Sequence, residues 1–268
     1  MPSVSNVAIG SNMAAAAASK ARHGMNESIA RLSTGIRAMY GGDAAGHSVG
    51  TVHNAESKSY AASTRNIEDA ISYAQTGESV LLEVANLAQR IRELGIADSG
   101  NELLDSNQTA ALDDEAAVLG NTIDDILDNT KFNGVEVVDS AASKSVSINY
   151  TGDTSASAKR HTVGAEQAIT AMNGLGDAGN ARALADTFLG TVSLALGNIA
   201  ADLTALKAFQ GAASSTSANL AAASARILDT DYATETASLT KNSILNQAAL
   251  SMAAQANNAQ SAILSVLQ

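Results

Sequence analysis

Apolar residues recur every three or four positions through most of the chain, and this spacing predicts long helices. Near the start, the apolar stripe runs through Ala15, Ala18, Met25, Ile29, Leu32, Ile36 and Met39, with Arg22 as its one break. In the tail, the same spacing links Leu245, Ala249, Met252, Ala256, Ala259, Ile263 and Val266. Alternating steps of three and four residues are typical of coiled coils, so both chain ends are predicted to be helices with an apolar face.

Three further helices are predicted between the two ends, at about residues 48–96, 106–127 and 183–228. Phe132-Asn133-Gly134 predicts a turn, and the alternation of Val146, Ile148 and Tyr150 with polar residues is typical of a half-buried strand. Residues 151–181 show the weakest pattern and are predicted to be a short surface segment. The predicted fold class is therefore mainly α, a long antiparallel helical bundle or coiled coil with a small β-hairpin region.

The distribution of charge is the most informative feature of the two ends. Residues 1–19 and 242–268 carry no charged side chain, although the whole chain has a net charge of −11. A helix that is surrounded by other helices excludes unpaired charges, because each buried ion costs several kcal/mol. Two terminal helices cannot surround each other, so the pattern predicts that other copies of the chain do so, in a polymer.

Composition argues against several other classes of protein. The acidic balance disfavours nucleic-acid binding, which needs clustered basic residues. The twelve Asn, Gln and Ser side chains of residues 242–268 disfavour membrane insertion of the tail, and no transmembrane helix is predicted. The chain has no cysteine and no His-Glu-x-x-His motif, and its four histidines are scattered. We therefore predict no metal site, no cofactor, no catalytic site and no enzymatic activity.

Several short motifs, in the same order along the chain, give it a family resemblance. They are RLSTGIR at 31–37, GDAAG at 42–46, SYAQT at 72–76, QRIREL at 89–94, FNG at 132–134, ARI at 225–227, DYATE at 231–235 and AQAN at 254–257. With these motifs the chain resembles bacterial flagellin over about residues 1–140 and 185–268. Each motif alone is weak, but the set at both ends is specific.

The resemblance implies a subunit of the flagellar filament that serves swimming motility. Its expected segments are an N-terminal inner-tube helix (1–42), outer-tube helices with a β-hairpin (43–150), a variable segment (151–181), a C-terminal outer-tube helix (182–231) and a C-terminal inner-tube helix (232–268). The residues expected at the inner-tube interface between subunits are Met25, Ile29, Leu32, Ile36, Leu245, Ala249, Met252, Ala256 and Ile263.

The resemblance also implies partners and a location. The chain itself is the main partner, as a helical homopolymer, together with the flagellar cap, junction proteins and an export chaperone. Flagellins that activate the vertebrate Toll-like receptor do so through positions that correspond here to Gln89, Arg90, Leu94 and Glu115, which are also candidates for subunit contacts. The implied location is the extracellular flagellum, reached by type III export without a cleaved signal peptide.

Two alternatives from other functional classes stay open at this point. The first is the flagellin-like protein at the junction between hook and filament, which shares the terminal helices but is present in few copies. The second is a soluble coiled-coil adaptor, which is expected to carry charged residues beside its apolar face. Such charges are missing from residues 242–268, which favours the polymer.

Overall fold

The computed structural model describes residues 3–37, 43–99, 101–138, 144–148, 160–163 and 178–267. Their helices are α1 (Ser3–Thr34), α2 (Ala44–Asp98), α3 (Ser106–Asn129), α4 (Ala178–Leu228) and α5 (Tyr232–Leu267). Their strands are β1 (Lys131–Phe132), β2 (Val135–Glu136), β3 (Lys144–Ser147) and β4 (Arg160–Val163). The prediction of a mainly helical chain with a small β region is confirmed.

The chain divides into two compact units. Unit 1 consists of residues 1–55 and 220–268, and unit 2 consists of residues 56–219. The first turns of α2 and the last turns of α4 belong to unit 1, whereas the remainder of both helices belongs to unit 2.

In unit 1, α1 and α5 pack against each other in antiparallel orientation. Gly24 lies against Asn242, and Arg31 Nη1 lies 3.6 Å from Glu235 Oε1, so the partner number falls as the α1 number rises. The buried and half-buried side chains between the two helices form what we call the α1/α5 seam. Its members are Ser11, Ala14, Ala18, Ala21, Met25, Ser28 and Leu32 on α1, and Glu235, Leu239, Asn242, Asn246, Ala249, Ala253 and Ala256 on α5.

The seam keeps the predicted alternation of three- and four-residue steps, but it uses partly different residues. Ala21 and Ser28 occupy positions for which the sequence pattern suggested Arg22 and Ile29, and Ile29 is 50% exposed. Small side chains let two helix backbones approach closely, whereas a row of isoleucine and arginine side chains would hold them apart. The apparent break at Arg22 therefore does not exist in the folded pair.

The first helix ends earlier than the predicted end near Met39. Gly35 follows Thr34 with a φ of +71°, a left-handed conformation that stops a helix and favours glycine. Ile36 then forms an isolated antiparallel bridge with Asp229. Arg37 donates hydrogen bonds from its side chain to the carbonyl of Ile227, and this pairs a cation with the negative end of α4. Met39 lies outside the described residues.

The core of unit 2 is built by α2, α3 and α4. Its largest fully buried side chains are Ile67, Leu81, Val84, Ile91, Ile123, Val137, Val192, Ile199 and Leu206. Together with the smaller buried residues of the same core, those on α2 and α4 recur mainly at intervals of three, four or seven positions, so each of these helices buries one face and leaves the other exposed to water. The predicted positions of α2, α3 and α4 agree with the structure to within a few residues at each end.

The fourth helix bears on the prediction that the chain contains no transmembrane helix, which stays a prediction. Residues 180–228 of α4 have the length and apolar composition of a membrane-spanning helix. A core helix has the same properties, and the buried face of α4, which includes Phe188 and Leu206, belongs to the core of unit 2.

Two small antiparallel hairpins complete unit 2. The predicted turn joins β1 to β2, with positive φ at both Asn133 (51°) and Gly134 (75°), as a tight hairpin turn requires. Tyr73 of α2 donates a hydrogen bond to the Glu136 carbonyl at 2.9 Å and meets the ring of Phe132 edge-on. The second hairpin pairs β3 with β4. The sequence analysis missed β4, which falls in the segment predicted to be a surface loop.

Candidate functional site

Large apolar side chains are exposed along the α1/α5 pair, and the outer ends of both helices carry no charged side chain. On α1 these are Ile9 and Met13, which are 54% and 69% exposed, together with Ile29. On α5 they are Ile244, Leu245, Leu250 and Met252, with exposures between 48% and 65%. We call these seven residues the apolar end surface. Exposed apolar side chains in this number are typical of a surface that binds another protein.

A groove runs along one side of the pair, between residues 16–27 of α1 and residues 241–252 of α5. Its volume is about 1060 Å³. Apolar lining comes from alanines of both helices and from Leu245 and Met252, whereas Lys20, His23 and Lys241 add positive or titratable groups. The groove therefore offers an apolar floor with a few polar groups, which is the pattern of a helix-binding surface.

The predicted interface residues fall into two groups in the structure. Ala249 is buried in the α1/α5 seam, and Met25, Leu32 and Ala256 are half-buried there. The other group, Ile29, Ile36, Leu245 and Met252, is exposed. The side chain of Ile263 lies outside the described residues. A single helix pair thus buries part of the predicted set, and the remaining apolar side chains stay between 37% and 65% exposed.

The start of α5 is fixed by a cap. The Asp231 carboxylate accepts hydrogen bonds from the backbone N–H groups of Ala233 (2.9 Å) and Thr234 (3.3 Å), and from the Thr234 hydroxyl (2.8 Å). These bonds satisfy amides that have no partner within the helix. The hydroxyl bond and the two N–H bonds favour the charged form, so they lower the pKa of Asp231.

We expect the cap to make the stability of unit 1 pH-dependent. Because the folded pKa is lowered, the stabilisation by the charged carboxylate is complete above about pH 5, where the carboxylate is also ionised in the unfolded chain. It is lost as the pH falls through the folded pKa. Asp231→Asn keeps an oxygen for capping but cannot titrate, so its thermal midpoint is expected to lie below that of the unaltered chain at pH 7 and to converge with it at lower pH. Asp229→Asn, at an exposed neighbouring carboxylate, is the control. A constant difference between pH 7 and acid would contradict the assignment.

The second predicted site lies in unit 2, on α2 and α3. Arg90 donates two hydrogen bonds to Oε1 of Glu115, from Nε at 2.9 Å and from Nη2 at 2.8 Å, and a third bond to Glu93 at 3.3 Å. The bonds to Glu115 and then to Glu93 raise the pKa of Arg90. Gln89, Arg90 and Glu115 are exposed, whereas Leu94 is only 3% exposed and does not contribute to that surface.

Comparisons with known proteins decide the family. The bacterial flagellin N-terminal helical region matches residues 5–143, and the bacterial flagellin C-terminal helical region matches residues 198–267. This chain belongs to the bacterial flagellin family. The two matched regions contain α1, α2, α3 and α5, together with the second half of α4.

Similar proteins extend over nearly the whole of this flagellin. A flagellin of Halalkalibacterium halodurans is 32% identical over 89% of this chain and 90% of its own length. A flagellin of Bacillus subtilis is 30% identical over 89% of this chain and 91% of its own length. The flagellar filament 33 kDa core protein of Treponema phagedenis is 29% identical, with coverages of 91% and 92%.

Contacts that sequence reasoning did not find also help to define this flagellin's terminal pair. Gly24, Asn242 and the Arg31–Glu235 ion pair lie at the α1/α5 seam, but none is a large apolar residue, so the apolar pattern gives no signal for them. Glycine within a predicted helix is the one clue that the sequence offers, because it disfavours a helix interior. Within the part of the chain that the structure describes, no three His, Asp or Glu side chains converge as a metal site requires.

Proposed function

We propose that this flagellin, a structural subunit of the bacterial flagellar filament, polymerises through the apolar end surface of α1 and α5. The observation that carries the proposal is the exposure of large apolar side chains on two helices whose outer ends lack charge. In an isolated chain those side chains lie in water, which costs about 25 cal/mol of free energy for each Å² of exposed apolar area. Packing against other copies removes that area from water and stabilises the polymer.

The polar residues of the tail fit the same arrangement. Asn, Gln and Ser side chains can donate and accept hydrogen bonds between helices without the desolvation cost of a charge. The amide oxygen of Asn246 is already buried in the seam without a hydrogen-bond partner among the described residues. Gln247, Gln255 and Asn257, by contrast, are exposed, so neighbouring copies are expected to cover polar groups of the tail as well as apolar area. We propose that this polymer lies outside the cell. The family also implies further partners, namely the flagellar cap, junction proteins and an export chaperone.

Charge substitutions on the apolar end surface test this proposal. Leu245→Asp or Met252→Asp places a carboxylate where another copy is expected to pack, at a cost of about 3 kcal/mol or more, which is roughly a hundredfold in the critical concentration for assembly. Because both side chains are exposed in the monomer, its helix content is expected to stay the same. Sedimentation of salted-out protein measures the polymer, and circular dichroism measures the monomer.

The matched controls keep the apolar character of each position. Leu245→Met and Met252→Leu change shape but not charge, and both variants are expected to assemble at concentrations close to that of the unaltered chain. Assembly of the aspartate variants at an unchanged critical concentration would place the interface elsewhere.

We further propose that the exposed face around Arg90 binds the vertebrate Toll-like receptor in the monomeric form of the protein. The supporting observation is that Gln89, Arg90 and Glu115 lie together at the surface, with Arg90 and Glu115 joined by two hydrogen bonds. An arginine paired to one carboxylate oxygen keeps a fixed orientation and can still offer an N–H to a partner.

Two arginine variants separate this proposal from a general effect of charge. Arg90→Ala is expected to reduce receptor signalling by monomer at least about tenfold, the loss typical of a central interface arginine. The Arg92 side chain pairs with Asp186 instead. Arg92→Ala is therefore expected to signal like the unaltered chain. A receptor-reporter cell line provides the measurement. Equal signalling by Arg90→Ala and the unaltered monomer would refute the proposal.

A further inference from the structure

The α1/α5 seam is repetitive, so its apolar residues do not fix how the two helices align. Alanines recur with the same spacing on α1 (Ala14, Ala18, Ala21) and on α5 (Ala249, Ala253, Ala256). Sliding one helix by seven residues in one direction would bring Ala256 level with Ala18 and Ala253 level with Ala21, again alanine against alanine. Coiled coils with such uniform seams commonly use a polar or unusual residue to select one alignment. The question is therefore which contact selects the alignment here.

Gly24 and Asn242 lie against each other in the observed alignment. A Cβ atom built on Gly24 would lie 2.6 Å from Nδ2, 3.1 Å from Cγ and 3.3 Å from Oδ1 of Asn242. In this conformation the end of the Asn242 side chain occupies the space that a Cβ at position 24 would need, so a side chain there requires the Asn242 amide to turn aside. Both residues are half-buried. Glycine in the middle of a helix is unfavourable, and this contact gives a reason for its presence.

A shift by one heptad removes this fit. Asn242 would then face the region of Ala17 or of Arg31, each of which has a Cβ atom where Gly24 has none. The same shift separates Arg31 from Glu235, whose side chain is only 12% exposed. A half-buried carboxylate would lose its cation, which is unfavourable. Two independent contacts thus select the same alignment, and the glycine contact is the one that depends on shape.

We propose that Gly24 and Asn242 form a register lock, which sets the alignment of α1 against α5 and so decides which apolar residues face outward. Its consequence for filament assembly rests on the proposed function, because a shifted pair would present a different surface to neighbouring copies. The lock itself is a property of one chain.

Disulfide trapping measures the alignment directly, because the chain contains no cysteine of its own. In the observed alignment, the antiparallel course from the Gly24–Asn242 contact brings buried Ala18 and buried Ala249 to the same level of the seam. Cysteines at 18 and 249 therefore report this alignment. Cysteines at 18 and 256 report a shift by one heptad in one direction, and cysteines at 11 and 249 report a shift in the other. Mild oxidation of each variant gives the rate of intramolecular linkage.

The expected result is that the 18–249 link forms at least about tenfold faster than either shifted link, a bias that corresponds to about 1.4 kcal/mol. Adding Gly24→Ala is expected to abolish most of that bias. Gly10→Ala is the matched control, since it is also a glycine of α1 but a Cβ there meets nothing within 4 Å; the bias is expected to persist. Gly24→Ala with Asn242→Ala removes the collision and is expected to recover the 18–249 link.

Two results of the linkage experiment overturn the lock. If Gly24→Ala behaves like Gly10→Ala, Asn242 turns aside freely and does not select the alignment. If the shifted links form as fast as the 18–249 link in the otherwise unaltered chain, no alignment is selected. The links are measured both in dilute protein and after salting-out. If the protein shows the expected linkage pattern but does not polymerise, the result counts against the proposed function only. If it polymerises with unselective linkage, or if no link forms in either state, the result counts against the lock.

Discussion

Deleting residues 242–268 is expected to leave a soluble, still helical protein that forms no filaments. The deletion removes the charge-free part of α5, including Leu245, Ala249 and Met252, and with it the α5 side of the groove beyond Lys241. Unit 2 is expected to keep its structure, because its core lies entirely within residues 56–219. The loss of assembly should be complete, since both the seam and the apolar end surface are broken.

The deletion is measured by circular dichroism and by sedimentation after salting-out, beside the unaltered chain. The truncated chain is expected to retain cooperative thermal unfolding of unit 2 and to stay in the supernatant. A second truncation at residue 264 is the matched control, because it shortens α5 but keeps every described member of the seam and of the apolar end surface. Filaments formed without residues 242–268 would show that α5 is not required for assembly.

Ile91→Ala is expected to be among the most destabilising single substitutions in unit 2. The Ile91 side chain is fully buried, in the core shared by α2, α3 and α4. Removing a buried isoleucine side chain to the β-carbon costs about 2–5 kcal/mol, from lost burial together with the cavity that remains. A unit held together mainly by alanine, valine, leucine and isoleucine has few large side chains that could move to fill that cavity.

Urea denaturation followed by circular dichroism measures this change, and the near-ultraviolet signal of the tyrosines adds a local probe because Tyr73 is buried beside Phe132. Ile96→Ala provides the matched control on the same helix. Ile96 is 50% exposed, so its substitution is expected to change stability by no more than about 0.5 kcal/mol. Equal effects of the two substitutions would show that α2 does not bury the face described here.

The helices could be predicted from the sequence because each one buries a face of similar width over many turns. This holds for α2, α3 and α4, whose large apolar residues point into one core. The turn at Asn133-Gly134 was also predictable, because its two residues favour positive φ. The strand β4 was not predictable, because its pairing with β3 depends on residues far away in the chain and its four residues show no alternating pattern.

The terminal pair shows a different limit of sequence reasoning. A search for large apolar residues selects Ile29, Leu245 and Met252, yet all three are exposed in the structure. The close contact is made instead by Ala18, Ala21, Ser28 and Ala249, which are buried because small residues allow the helices to approach. Hydrophobicity therefore identified the helices but did not separate the face that packs within the chain from the face that we propose packs between chains.

The candidate receptor site was only partly predictable for a related reason. The motif placed Gln89, Arg90 and Leu94 on one helix, but the burial of Leu94 depends on how α2 packs in unit 2. The family resemblance named Arg90 and Glu115 as separate positions, and their pairing across two helices was not predicted.

Electron microscopy of the salted-out protein tests the central claim most directly. The purified 268-residue chain is brought to assembly by adding salt or short seeds and is imaged in negative stain, beside the Leu245→Asp variant. The account predicts long tubes of uniform width from the unaltered chain and none from the variant. Discrete particles of fixed mass from the unaltered chain, under conditions in which the charge variant behaves identically, would contradict it.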